Sequence, residues 1–129
     1  MLTEYEEACN LADTLRAMNI DFYHMPQETF TKSWGVKMKN KRQGVRKGVS
    51  DYMVYLPATR SKTKKAIILW VELKKARRLK KNGKLGGVMG YPTTEQLEFI
   101  EKMNTVNNIQ GTVANGAEEA LDYVKSFLI

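Results

Sequence analysis

Cysteine and histidine are nearly missing from this chain: Cys9 is its one thiol and His24 its one imidazole among 129 residues. A lone cysteine excludes an intramolecular disulfide. A lone histidine excludes both a His/Cys zinc site and any catalytic motif assembled from several histidines of one chain. No N-terminal apolar run has the length of a signal peptide or a membrane span, so the expectation is a soluble, intracellular protein without a membrane partner. Acidic residues are the third scarcity, and they are scarce in one place. Residues 32–84 hold 18 of the 21 Lys and Arg residues but only two of the 14 acids, Asp51 and Glu72, a surplus of 16 positive charges. The rest of the chain, with three basic and twelve acidic residues, carries −9, so the formal charge of +7 conceals a strong segregation. Folding such a sequence leaves one strongly positive surface, for which a polyphosphate backbone is the natural partner.

What remains is the composition of one globular domain, residues 1–129, with 43% hydrophobic and 27% charged residues and length enough to bury a core. From Thr3 to Met18 the apolar residues Tyr5, Ala8, Leu11, Ala12 and Leu15 recur at three and four, with Thr3 as N-cap and Glu6 completing a capping box. Asp21 to Met25 reads as a short strand ended by Pro26. The basic segment from Lys32 to Lys47 has no sustained period and reads as a long functional loop. Tyr52 to Leu56 and Ala66 to Leu73 suggest an antiparallel strand pair. Pro92-Thr93-Thr94 leads into a helix carrying Leu97, Phe99, Ile100 and Met103, Gly111 to Ala114 makes a short strand, and Ala117 to Leu128 a last helix. The order αβββαβα predicts an α/β sandwich with a mixed central sheet flanked by helices. The methionines, His24 and Cys9 read as packing residues.

Chemistry concentrates where the run Ile67-Ile68-Leu69-Trp70-Val71, apolar on both faces like a covered central strand, delivers Glu72-Leu73-Lys74. A two-residue offset puts Glu72 and Lys74 on one face, roughly 6–7 Å apart along the chain. Alone, the pair would be an ordinary ion pair at a strand end. Asp51, at the start of the neighbouring strand, is positioned to face Glu72, so the only two acids of the basic block converge. Magnesium and manganese are hard cations that take oxygen ligands, often one or two carboxylates with waters and substrate phosphates completing the shell. A cation held there could polarise a phosphate and generate a hydroxide-like nucleophile, with Lys74 orienting that nucleophile or offsetting the developing charge.

Gly48-Val49-Ser50-Asp51, Val71-Glu72-Leu73-Lys74, Pro92-Thr93-Thr94-Glu95-Gln96 and Gly116-Ala117-Glu118-Glu119-Ala120, in this order, resemble the virus-type replication-repair nuclease (VRR-NUC) family of the PD-(D/E)xK nucleases over nearly the whole chain. Ser50 stands where a proline usually precedes the catalytic aspartate, a change that removes no reactive group. The resemblance implies a restriction-endonuclease-like core and divalent-metal-dependent hydrolysis of DNA phosphodiesters by Asp51, Glu72 and Lys74. It carries the family's glutamine to Gln96 and asks for an acid on the first helix. Glu4 and Glu7 both qualify, sharing a helical face at i, i+3, and Glu7, one turn further in, is preferred as a third metal ligand.

Phosphate contacts are expected from Lys37, Lys39, Lys41, Arg42, Arg46 and Lys47, and from Lys75, Arg77, Arg78, Lys80, Lys81 and Lys84, which flank the acids and bind backbone rather than bases. Trp34 either stacks on an exposed base or, by preference, anchors its loop to the core. The resemblance further implies cleavage of branched DNA, with a Holliday-junction resolvase as the leading version. Because one chain supplies one active site, symmetric resolution requires a homodimer. A flap or nicking nuclease, and a non-catalytic nucleic-acid-binding module on the same fold, are the competing readings. Leu85 to Tyr91 is open to two roles, a dimer contact or a cover over the sheet. A viral source, such as a phage acting in its host's cytoplasm, is implied by the resemblance alone.

Overall fold

The computed structural model describes residues 2–25, 33–78, 80–87 and 90–129. Helix α1, Glu4–Ala17, starts at the expected capping box: Thr3 Oγ1 accepts the Glu6 N–H and the Glu6 carboxylate accepts the Thr3 N–H, each at 3.1 Å. Strand β1, Asp21–His24, pairs antiparallel with β2, Tyr52–Leu56, which pairs antiparallel with β3, Ile67–Lys74. Helix α3, Thr94–Met103, then carries the chain across to β4, Ile109–Asn115, which runs parallel to β3, and α4, Ala117–Lys125, closes the fold. The sheet order is β1-β2-β3-β4 and the sheet is mixed, as expected.

Strand β3 lies in the interior of the sheet and is covered on both faces, which explains its unbroken apolar run. Leu69, Val71 and Leu73 join Leu11 and Leu15 of α1 and Ala120 and Val124 of α4 in one buried core. The alternate residues look the other way, toward α3, where the Trp70 and Phe99 rings meet edge to face at 5.1 Å. Each fully buried Leu or Val contributes about 1.5–3 kcal/mol relative to exposure, and this is what fixes β3 between its helical layers. The described methionines do not fill the buried core. Among the described residues none belongs to the buried core; Met18 packs at its margin and Met38 is exposed. Leucine and valine have stiffer side chains and fill this narrow layer instead.

The stretch expected as one long loop contains a helix, α2, Trp34–Arg42. Ser33 caps it, its Oγ accepting the Val36 N–H at 3.3 Å. No residue of α2 is buried. A helix that buries no residue in the core needs no apolar stripe, which is why its sequence showed no period. Trp34, preferred as an anchor to the core, is 75% exposed, so that expectation fails. Pro26 and Lys32 lie outside the described residues, as do Val88 and Met89 of the Leu85–Tyr91 segment. Gly90 of that segment lies beside Lys74, where an added Cβ would meet the lysine Cβ at 3.9 Å. No helix among the described residues is long and apolar enough to cross a membrane.

Candidate active site

Asp51 immediately precedes β2, and the register that pairs Tyr52 with Val71 brings it beside Glu72. The two strands are stitched there reciprocally. The Asp51 N–H donates to Glu72 Oε2 at 3.2 Å, and the Leu73 N–H donates to Asp51 Oδ2 at 2.9 Å. Lys74 Nζ stands 3.6 Å from Glu72 Oε1, with its side chain only 17% exposed. Gln96 of α3 donates from Nε2 to the same Glu72 oxygen. Asp51, Glu72, Lys74 and Gln96 therefore form one connected group, as the sequence suggested.

Gln96 is fixed from its other end. Its Oε1 accepts the Thr93 N–H at 2.8 Å while its own N–H donates to Thr93 Oγ1 at 3.2 Å, a capping box at the start of α3. One amide thus closes a helix and holds a carboxylate. The Thr93-x-x-Gln96 spacing of this second capping box is as plain in the sequence as that of Thr3 and Glu6. Gly48, which opens the Gly48-Val49-Ser50-Asp51 motif, has φ +102°, and an added Cβ there would lie 2.5 Å from the Glu95 carbonyl oxygen. Only glycine lets the turn leading to Asp51 press against the first turn of α3.

Glu72 is 1% exposed, deeply buried for a carboxyl. Burial first, then the Asp51 carboxylate and a side-chain hydrogen bond with it, push its pKa up to about 8, against the opposing pull of Lys74 and the Asp51 N–H. Two acids pressed together in low dielectric want positive charge, and the single Lys74 ammonium supplies part of it. Carboxylate oxygens of this kind are the donors that a hard divalent cation takes.

Glu7 is not part of the group. It is 7% exposed, and its Oε2 accepts the Ala117 N–H at 2.6 Å, at the N-terminus of α4. Helix α1 packs on the sheet face of Leu73, opposite the face of Glu72 and Lys74, and this separation by strand alternation keeps Glu7 away. Gly116 makes the contact possible, since with φ +94° an added Cβ would lie 2.9 Å from Ala76 Cβ and 3.3 Å from Glu7 Oε2. Of the two acids weighed on α1, Glu7 is the inward one and Glu4 is exposed. No group of three His, Cys, Asp or Glu side chains among the described residues is arranged to hold a metal.

The basic candidates divide. Lys39, Lys41 and Arg42 on α2, and Arg46 and Lys47 after it, are exposed. Lys41, Arg46 and Lys47 line a groove of about 510 Å³ with Val45, Val49 and, from α3, Glu95 and Phe99. Lys75 is half-buried and Arg78 exposed just beyond β3. Arg77 differs, because its Nε lies 3.2 Å from Glu119 Oε2 in a groove that also holds Glu118 and Asp122. Its charge is already matched, and a groove lined by four acids, Glu7, Glu118, Glu119 and Asp122, makes a poor seat for a phosphate.

The sequence matches no protein-family model and no curated protein. Among solved structures, one described as a VRR_NUC domain protein superposes with a TM-score of 0.67 at 19% identity, covering 98% of this chain and 88% of that one. The chain has the VRR_NUC fold. Within the VRR_NUC fold, β2, β3 and α3 are the elements that bring Asp51, Glu72, Lys74 and Gln96 together here, whereas α1 serves the opposite face of the sheet.

Proposed function

We propose that this protein is a divalent-metal-dependent, structure-selective DNA endonuclease, with Asp51 and Glu72 as metal ligands. The observation that carries the reading is the buried Glu72, bonded by Gln96, facing Asp51 and 3.6 Å from Lys74. A merely structural ion pair would not need a second carboxylate beside it, and burying two acids for one lysine is costly. The VRR_NUC fold and the basic residues around α2 support the same reading.

A magnesium or manganese ion, when bound, would supply the Lewis acidity that polarises the phosphate and makes water nucleophilic near neutral pH. The chain's own residues do the rest. Gln96 holds Glu72 in one rotamer, and the Leu73 N–H holds Asp51, so the ligand oxygens are set before substrate arrives. Lys74 presents its ammonium to the scissile phosphate, where it orients the attacking water and offsets the charge that builds as the P–O bond breaks. Hydrolysis adds the water's hydroxyl to phosphorus and leaves a proton for the departing strand's oxygen. Exposed lysines and arginines at 39–47, with Lys75 and Arg78, hold the duplex by its phosphates.

Branched DNA is the proposed substrate, with the four-way junction as its leading form, and symmetric resolution would require two copies of the chain. Labelled four-way junction, flap, single-stranded and linear duplex DNA are incubated with magnesium, manganese or EDTA, beside Glu72→Ala. Symmetric metal-dependent cuts confined to the junction and lost in Glu72→Ala support a resolvase acting as a homodimer. Cutting of flaps or single strands keeps the active site and discards that role. Binding without cleavage in any metal overturns the enzyme reading in favour of a nucleic-acid-binding module.

A further inference from the structure

We propose that α2 is a stacking platform that selects DNA carrying an unpaired nucleotide, an inference that rests on the nucleic-acid reading above and names the substrate feature recognised. Helix α2 is capped by Ser33 and puts no residue into the core, yet it displays Trp34 at 75% exposure with Val36 and Met38 also exposed. At 100° per residue, Trp34, Met38 and Lys41 share one face and Arg42 borders it. The helix contains four cations and no acid. An aromatic plane with a thioether beside it, edged by cations, is what a base and its phosphates require together.

Position adds to composition. The groove of about 510 Å³ is lined by Lys41 near the end of α2, by Arg46, Lys47 and Val49, and by Glu95, Glu98 and Lys102 of α3, four cations against two acids. Lys41 lies on the Trp34 face of α2, and at the other side of the groove Val49 and Glu95 are near neighbours in the chain of Asp51 and Gln96. Gly48, pressed on the Glu95 carbonyl, holds the segment after α2 against the first turn of α3. A strand whose base stacks on Trp34 would be led along the groove's cations toward the site.

A paired duplex offers Trp34 no base face, because its bases are already stacked on each other. A second copy of the chain is a poor occupant. Isologous contact would bring four cations against four, over a nine-residue helix that cannot approach the roughly 800 Å² per partner of a stable interface.

Binding is measured in EDTA, by fluorescence anisotropy, to a blunt duplex and to the same duplex interrupted by a short unpaired gap. Wild type favours the gapped DNA. Trp34→Ala weakens gapped binding by about tenfold or more while duplex binding stays within about twofold, and Trp34→Phe retains most of the preference. The thermal melt of Trp34→Ala matches wild type, since nothing buried is lost. No loss, or equal loss on both DNAs, overturns the proposal. So does a Trp34-dependent affinity for anionic phosphatidylserine vesicles without the gap preference, or a dimer that Trp34→Ala dissociates. The assay involves no cleavage, so the two readings fail separately. A Trp34-dependent gap preference without cutting in any metal keeps this proposal and sinks the nuclease, whereas metal-dependent cutting with the gap preference unchanged in Trp34→Ala does the reverse. Absence of any DNA binding overturns both.

Discussion

Helix α2 and the β2–β3 strand ends are the two regions proposed to act on DNA, and they are built in opposite ways. The strand ends hold a nearly inaccessible glutamate by bonds from β2, β3 and α3, over a core packed on both faces. Helix α2 presents an exposed tryptophan just after its Ser33 cap, and none of its residues is buried. Chemistry on a phosphate tolerates little positional error, and burial with cross-element bonds provides that rigidity. Contact with DNA of varied shape asks instead for accessible groups whose loss leaves the core undisturbed. The same basic segment therefore holds one acid that is costly to move and a helix that is cheap to alter.

The contrast breaks most sharply through activity. Glu72→Ala and Asp51→Asn should each lower metal-dependent cleavage by about a thousandfold or more with DNA affinity in EDTA nearly unchanged, measured by single-turnover cleavage beside anisotropy. Lys74→Ala should lower kcat by about a hundredfold with little change in KM; equal losses in affinity and rate would make Lys74 a phosphate contact only.

Stability separates the regions next. Gly48→Ala forces a side chain into the Glu95 carbonyl at positive φ, and a loss of at least about 1–2 kcal/mol is expected in denaturant melts. Replacing Lys39, Lys41 and Arg42 together by alanine should stay within about 0.5 kcal/mol per residue of wild type, while shallowing the salt dependence of DNA binding by about one unit of log–log slope per lost phosphate contact.

The pH dependence is the smallest effect and belongs to the strand ends alone. The folded pKa of Glu72, about 8, lies above its ordinary value, so the native state holds the proton more tightly than the unfolded chain. In EDTA, Glu72 therefore favours the fold below its ordinary pKa, and this contribution is lost progressively as pH rises toward 8. Glu72→Gln should flatten that decline and melt higher than wild type at pH 8 without metal. If the two proteins melt in parallel from pH 5 to 8, the raised pKa is refuted.

Much of this was legible in the sequence because burial writes a period. The doubly apolar Ile67–Val71 run marked a covered central strand, the spacing of Glu72 and Lys74 gave their common face, and Thr3 with Glu6 marked the first cap. The α2 helix was illegible because it buries nothing and so leaves no apolar stripe. Trp34 was misread since a tryptophan's large apolar area makes burial the ordinary expectation.

Glu7 shows the limit most clearly. Its helix, its inward face and its acidity were all visible in the chain, yet which side of the sheet that helix covers depends on how α1 and α4 pack around β3. The sequence determined what is set by neighbours along the chain: the periods of strands and helices, the caps, the charge segregation and the pairing of Glu72 with Lys74. Only the tertiary structure decided that Gln96 reaches Glu72, that Arg77 is matched by Glu119 and that Glu7 caps α4, because those contacts join residues 24, 42 and 110 positions apart and exist only once the sheet has layered its helices.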